Sequence, residues 1–405
     1  VRDTIEVVAV VDNGPASHAG IEVGDQLIKV NDSVVAGKEI TSDHIVHMLK
    51  GKQQSKVYIT VRRSAGGLKE LQLTRDIIPI HSVDASLMLD DMTGYIKISR
   101  FSATTHDEFT VSLKDLLKKG AKQLVLDLRD NPGGYIDAAT SIADDLLDSN
   151  KLIVYTKGTH SPKVDYKAGE RGLFEKGKLA VLVDEGSASA SEIVSGAIQD
   201  WDRGLLIGRR TFGKGLVQKP YQLPDGSMIR LTTARYYTPV GRSIQKPYKE
   251  GTEKYHEDLV QRYKKGEHMS ADSIHFPDSL RYTTPKGRSV YGGGGVMPDI
   301  FIPLDTSMNS ELAFNLARKN VWGQYIVNLL DKERGKLLGK YPTFDAFKKE
   351  FNTDDICSAL NQLIPLAQLE STQNLKLQNI TILLLSFLPD SHRQMTWFLK
   401  ICSKV

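Results

Sequence analysis

The chain predicts an α/β core, preceded by a small α+β unit and followed by a mostly helical region. Three observations predict it. At 405 residues the chain is too long for one ordinary core, so two or three domains are expected. Between residues 80 and 210, short runs rich in Val, Ile and Leu alternate with amphipathic stretches, the signature of a largely buried sheet with helices on it. Beyond "GGGGVMPDIFIP" (292–303) the strand alternation stops and helices with polar loops remain.

Taken in order, "TIEVVAVV" (4–11) is β-branched and reads as a strand. In "DNGPASHAGIEVGDQLIKVNDSVV", Pro15, Gly20 and Gly24 punctuate a short helix between strands. "SDHIVHMLKG" (42–51) is a capped amphipathic helix, and "SKVYITVRR" (55–63) is a strand returning through a hairpin with Gly66–Gly67 at its tip. These elements make a first unit over 1–77. The core then spans 78–304, with strands "GYIKISRF", "QLVLDLRD", "LIVYTKG" and "KLAVLVDEG" and helices near 107–119, 136–148 and 191–200. A hairpin follows around "PDG" (224–226), whose residues suit a tight turn. Residues 249–290 are polar and read as irregular, and 305–405 form the helical region.

Composition excludes several classes. With 40% hydrophobic and 25% charged residues the chain is globular. A net charge of +4, with acids interspersed, gives no nucleic-acid or membrane-surface signal. Cys357 and Cys402 allow at most one disulfide, neither a disulfide scaffold nor a structural zinc site. "ITILLLSFL" (380–388) is too short to span a bilayer and reads as a core helix. No signal peptide is read before Val1, and the abrupt start in a strand-like run makes a preceding segment an expectation.

The chemistry concentrates in "VDEGSASASEIVSGAIQD" (183–200), where a buried strand turns into a helix through Ser187, Ser189 and Ser191. Ser189 and Glu192 satisfy a Ser-x-x-Glu capping box, which by itself explains the serine as a helix start. The same geometry suits a nucleophile. A serine at a strand-to-helix turn is exposed, and the helix N-terminus offers unpaired amides to a developing oxyanion. Pattern alone leaves both readings open and does not choose among the serines.

The ten histidines are dispersed and provide no evident base. His44 and His47 lie one turn apart without a third ligand, a solvated helix face rather than a metal site. "GRRTFGKGLVQ" (208–218) places Lys214 between two glycines. An ordinary surface lysine is the simple reading, and a P-loop is excluded because no Ser or Thr follows it. A lysine acting as base must be neutral, which burial favours by penalising the ammonium.

"GSASASEI", "TFGKGLVQ" and "LDLRDNPGG" (126–134) together closely resemble the carboxyl-terminal processing peptidases, or tail-specific proteases. "PASHAGIEVGDQLIKVND" (15–32) resembles the PDZ module of that family, and "GGGGVMPDIFIP" the segment closing its protease domain. The resemblance extends over most of residues 4–304. It implies a crotonase-like protease core, a PDZ-like first unit and a serine endopeptidase without cofactor or metal. By position it implies Ser189 as nucleophile, Lys214 as general base 25 residues later, and Gln218 orienting the lysine. Its oxyanion hole would use the amide of Ala190 and one from Gly134 or Gly133, with Gly134 favoured.

The resemblance also implies protein or peptide substrates with apolar C-termini, held as an added strand by the PDZ-like unit. A homo-oligomer or regulatory partner is left open. The carboxylate-binding loop of the module should precede Val1, so weak tail binding is expected here. A periplasmic or cell-envelope location follows from the resemblance only. The alternatives are a catalytically silent scaffold that binds tails, and an acyl-CoA enzyme of the crotonase type, which needs neither a Ser–Lys pair nor a PDZ unit.

Two geometric expectations stand beside this. Residues four apart in a strand lie about 13 Å apart, so Gln218 can approach Lys214 only if the chain bends near Gly215. Asp200 is roughly 16 Å along the helix axis from Ser189, too far for a hydrogen bond, and is expected to be structural. "LDLRDNPGG" by itself reads as a buried strand and a turn, with Arg129 pairing an internal acid.

Overall fold

A computed structural model describes residues 4–306 except 8–9, 12, 64–66, 79–80, 170–171 and 249–250, with isolated positions between 318 and 350. The described residues form two compact units, the first taking in those before His81 together with those after Leu304, the second spanning His81–Leu304. The expected helical region 305–405, with Cys357, Cys402 and the 380–388 run, lies almost wholly outside the described residues.

In the first unit β1 (Ile5–Glu6), α1 (Pro15–His18), β2 (Gln26–Val30), β3 (Ser33–Val34), α2 (Ser42–Leu49), β4 (Lys56–Arg63) and β5 (Gly67–Thr74) follow one another. The antiparallel sheet runs β1-β2-β4-β5, with β3 against β2. Leu27, Val30, Ile45, Val57, Ile59 and Val61 make its core. The strand expected over 4–11 is shorter than read, since only Ile5–Glu6 pairs with β2 among the described residues. Thr41 caps α2 by accepting the His44 amide at 3.3 Å. His44 and His47 are exposed, and no metal-binding cluster exists among the described residues.

The second unit is built on a six-stranded sheet. Its elements are β6 (Val83–Met88), β7 (Thr93–Ile98), α3 (Thr105–Lys118), β8 (Gln123–Asp127), α4 (Ile136–Leu146), β9 (Leu152–Gly158), β10 (Ser161–Lys167) and β11 (Lys178–Val183). Then come α5 (Ala190–Asp200), β12 (Leu205–Gly208), β13 (Leu216–Gln222), β14 (Met228–Tyr237) and α6 (Gly251–Lys264). β15 (Arg281–Thr283), β16 (Ser289–Tyr291) and β17 (Ile300–Phe301) close the unit.

The main sheet has order β17-β12-β11-β8-β7-β6, parallel except for the β6–β7 pair. Strands buried on both faces read as continuous apolar runs, which is why β8 and β11 were legible. Phe109, Leu113 and Leu116 of α3 and Ala139, Ile142 and Leu146 of α4 bury their stripes against it, and every residue of α5 is buried. A second sheet, β10-β9-β14-β13, carries the expected hairpin at its edge.

Residues 249–290 differ from expectation. They contain the 14-residue helix α6 and the β15–β16 hairpin. α6 is anchored by charge: buried Arg262 donates to the carbonyls of Arg210 (2.7 Å) and Thr211 (3.0 Å). Only Tyr255 and Leu259 make its inward face apolar, too short a stripe in a polar sequence for periodicity to reveal. Among the described residues no helix is long and apolar enough to cross a membrane.

Candidate active site

β8 and β11 are parallel neighbours, so the turns leaving their C-terminal ends emerge side by side, where open α/β sheets form their crevices. Hydrogen bonds weld the two turns together. The Asn131 carbonyl accepts the Ala188 N–H and the Ser191 hydroxyl, each at 2.9 Å. The Ser187 hydroxyl donates to the Leu128 carbonyl at 2.8 Å, and Asp184 accepts the Asp130 amide at 2.9 Å.

This welding separates the three serines. Ser187 and Ser191 are 0% exposed with their hydroxyls engaged, whereas Ser189 is partly exposed. Ser189 begins α5 with φ 56° and ψ −112°, a sparsely populated backbone state for a residue with a Cβ. Such strain costs on the order of 1–3 kcal/mol and persists only where the surroundings hold it. Part of what holds it is the glutamate half of the expected capping box, since the Ser189 amide donates to Glu192 Oε2 at 2.9 Å.

Glu192 does more than cap. Its carboxylate, 0% exposed, also accepts the Lys214 amide on Oε2 at 2.9 Å. On Oε1 it accepts the Gly213 amide at 2.8 Å and the Thr211 hydroxyl at 2.5 Å. Burial pushes this carboxyl up from its ordinary range, against four hydrogen bonds that favour the charge. The serine turn and the lysine loop thus converge on one buried group. Sequence reading recognised Glu192 only as a cap. A carboxylate in the first turn of a helix that is buried all round was the available signal.

Gly133 packs directly on this turn. A Cβ there would stand 2.7 Å from Ala190 N and from Ser189 Cβ, and 2.6 Å from the Ala188 carbonyl. Gly133 donates its amide to Asn131 Oδ1 at 2.9 Å, while no described residue accepts the exposed Gly134 amide. Gly134, at φ 151°, lies against Phe101, whose carbonyl a Cβ would meet at 1.9 Å. Only glycine fits either position. The first amide of α5, that of Ala190, is likewise unengaged among the described residues.

Lys214 is partly exposed and lines an open cavity of about 800 Å³ with Gln218, Gln245, Lys246 and Tyr255. Ser189 does not line it. The chain turns through 213–215 before entering β13, where Gln218 is exposed, follows a bulge and makes no hydrogen bond to Lys214 among the described residues. Buried Lys246 sits over Phe212 (4.1 Å) and Tyr255 (4.2 Å) and pairs with Asp258 at 3.1 Å. Burial pushes its amine down from the ordinary range, opposed by the Asp258 carboxylate.

Two other expectations are met. Asp200 pairs at 2.7 Å with Arg242, both 0% exposed, and accepts the Val240 amide. Arg129 pairs with buried Asp127, to which Tyr95 also donates at 2.7 Å.

Residues 92–254 match the profile of peptidase family S41, and residues 6–63 that of a PDZ domain. Residues 312–379 match a family of unknown function. A carboxyl-terminal-processing protease of Picosynechococcus sp. is 38% identical over 247 residues, covering 60% of this chain and 59% of that protein. Carboxy-terminal processing protease CtpA of Bacillus subtilis is 37% identical over 249 residues, covering 60% of this chain and 51% of that protein. The match thus spans little more than half the length of these curated relatives. A solved photosystem II D1 C-terminal processing protease is 27% identical with a TM-score of 0.42, covering 76% of this chain and 71% of that one.

Proposed function

We propose that this chain, whose residues 92–254 match peptidase family S41 and residues 6–63 a PDZ domain, is a serine endopeptidase of the carboxyl-terminal processing type, with Ser189 as nucleophile and Lys214 as general base. The observation that carries it is the selection of Ser189. Of the three clustered serines it alone is partly exposed, at a strained turn pinned to the same carboxylate oxygen as the Lys214 loop.

In the proposed reaction neutral Lys214 takes the Ser189 proton as the oxygen attacks a peptide carbonyl. The oxyanion is held by the amides of Ala190 and Gly134, both without acceptors among the described residues. The amine then protonates the leaving peptide, and water hydrolyses the acyl-enzyme. Gly133 is the weaker oxyanion choice because its amide is committed to Asn131. Gln218 shares the cavity of Lys214 without bonding to it, which favours a dyad in this resting arrangement. The PDZ unit is proposed to select protein tails with apolar ends by strand addition. A periplasmic or envelope location belongs to the same proposal.

The test is cleavage of an unfolded substrate with an apolar C-terminus by the parent, Ser189→Ala and Lys214→Ala, from about pH 6 to about pH 10. Activity that rises with pH and vanishes in both variants supports the dyad. Cleavage surviving in Ser189→Ala refutes it.

A further inference from the structure

Lys214 stands between two glycines, the residues that restrain a backbone least, so whatever aims its amine must grip the loop from outside. All six backbone polar groups of residues 213–215 are engaged. The Gly213 and Lys214 amides donate to Glu192 at 2.8 and 2.9 Å, and the Lys214 and Gly215 carbonyls accept the Tyr236 hydroxyl and amide. The other two bonds come from one place, residues 245–246 beyond β14. The Lys246 amide donates to the Gly213 carbonyl at 3.0 Å, and Gln245 Oε1 accepts the Gly215 amide at 2.8 Å. Gln245 is 8% exposed and its own amide group is fixed, since Nε2 donates to the Lys246 carbonyl at 2.8 Å. A Cβ on Gly215 would stand 2.9 Å from Gln245 N and 3.1 Å from Gln245 Cβ, so only glycine permits so close an approach.

We propose that Gln245 is the positioning residue of the general base, holding the peptide that follows Lys214 as Glu192 holds the one that precedes it. This rests on the Ser–Lys reading above. Gln245 thereby takes the part that the resemblance gives to Gln218, but it acts through the backbone and from a later segment. Gln218 itself follows a bulge on β13, is exposed and makes no hydrogen bond to Lys214 among the described residues. In the reaction the Ser189 O–H bond breaks, its proton passes to the Lys214 amine, and the oxygen's electron pair forms the bond to the carbonyl carbon. Gln245 neither gives nor takes a proton. It fixes the backbone from which the amine reaches.

The test is Gln245→Met, which keeps the length and removes the acceptor, beside Gln245→Asn, which keeps the amide but is one methylene short of Gly215. The labelling rate with a small fluorophosphonate reads attack by Ser189, a peptide substrate gives kcat and KM, and thermal denaturation gives the folded fraction. Expected for both variants at matched folded fraction is a fall of about tenfold in labelling rate and kcat, since a misaimed base loses orientation. KM should be unchanged, because substrate binding is not touched. Gln218→Met should lose less than Gln245→Met.

Labelling within about twofold of the parent in both Gln245 variants overturns the role, and so does a loss fully accounted for by the unfolded fraction. A raised KM with parental kcat overturns it by making Gln245 a substrate contact. A larger loss in Gln218→Met overturns it by returning the positioning role to that residue. If the parent is not labelled, or Lys214→Ala is labelled at the parental rate, the Ser–Lys reading fails first and this role with it. A labelled parent, an unlabelled Lys214→Ala and fully active Gln245 variants refute only the present inference.

Discussion

The backbone amides of Ser189 and Lys214, 25 residues apart in sequence, donate to the same oxygen, Glu192 Oε2, each at 2.9 Å. One buried carboxylate therefore sets the spacing of the two segments that carry the proposed dyad. Replacing it by Glu192→Gln puts an amide N–H₂ where at least two donors already point. Expected is a loss of about 2–4 kcal/mol in unfolding free energy, with acylation reduced further than stability explains. Urea denaturation and fluorophosphonate labelling at matched folded fraction check both parts.

The three serines should separate by measurement as they do by burial. Ser189→Ala is expected to abolish labelling and hydrolysis with little change in melting temperature. Ser187→Ala and Ser191→Ala each remove a buried hydroxyl bonded to a carbonyl and should cost about 1–2 kcal/mol. Both should remain labelled at temperatures where they are folded. Full hydrolysis by Ser189→Ala would move the nucleophile elsewhere.

Gly133→Ala tests the turn beside the nucleophile. The new Cβ would meet Ala190 N and Ser189 Cβ at 2.7 Å, in the space proposed for the oxyanion. Acylation should fall by at least about tenfold, and a strained φ of 93° adds destabilisation. A variant with parental acylation would show that the oxyanion is held elsewhere.

Asp202 gives a pH prediction at the far end of α5. Burial opposes its charge, but hydrogen bonds from Arg288, the Lys286 amide and Thr284 prevail and hold its carboxyl below the usual range. The folded value lies below the unfolded one, so this stabilisation is present above the ordinary carboxylate range and lost as pH falls through the folded value. Asp202→Asn should therefore be less stable near neutrality by about 1–3 kcal/mol. Its deficit should shrink as the parent is acidified. Equal deficits at neutral and acidic pH in denaturant titrations would contradict this assignment.

Legibility followed burial. β8, β11 and α5 were visible because elements buried by a sheet or within a core must be apolar along their length. α6 was missed because Arg262 and Asp258 attach it through polar contacts, leaving a polar sequence in which only Tyr255 and Leu259 mark the inward face. At the candidate site, the Ser-x-x-Glu spacing announced a cap, and the motif resemblance pointed to Ser189, Lys214 and the Asn-Pro-Gly-Gly turn. That Asn131 binds the two turns together was not visible. Its contacts run between residues about 60 positions apart, through backbone groups that every residue possesses.

By itself, then, the sequence determined the alternation that builds a parallel sheet and the glycines and serines placed at its C-terminal edge. It also determined the family-like spacing of a serine and a lysine. Only the tertiary structure decided which serine remains partly exposed, which glycine amide lacks an acceptor, and that one carboxylate serves both segments. Local pattern sets propensity and periodicity, which depend on near neighbours. Solvent exposure and shared hydrogen bonds depend on which distant segments the sheet brings side by side.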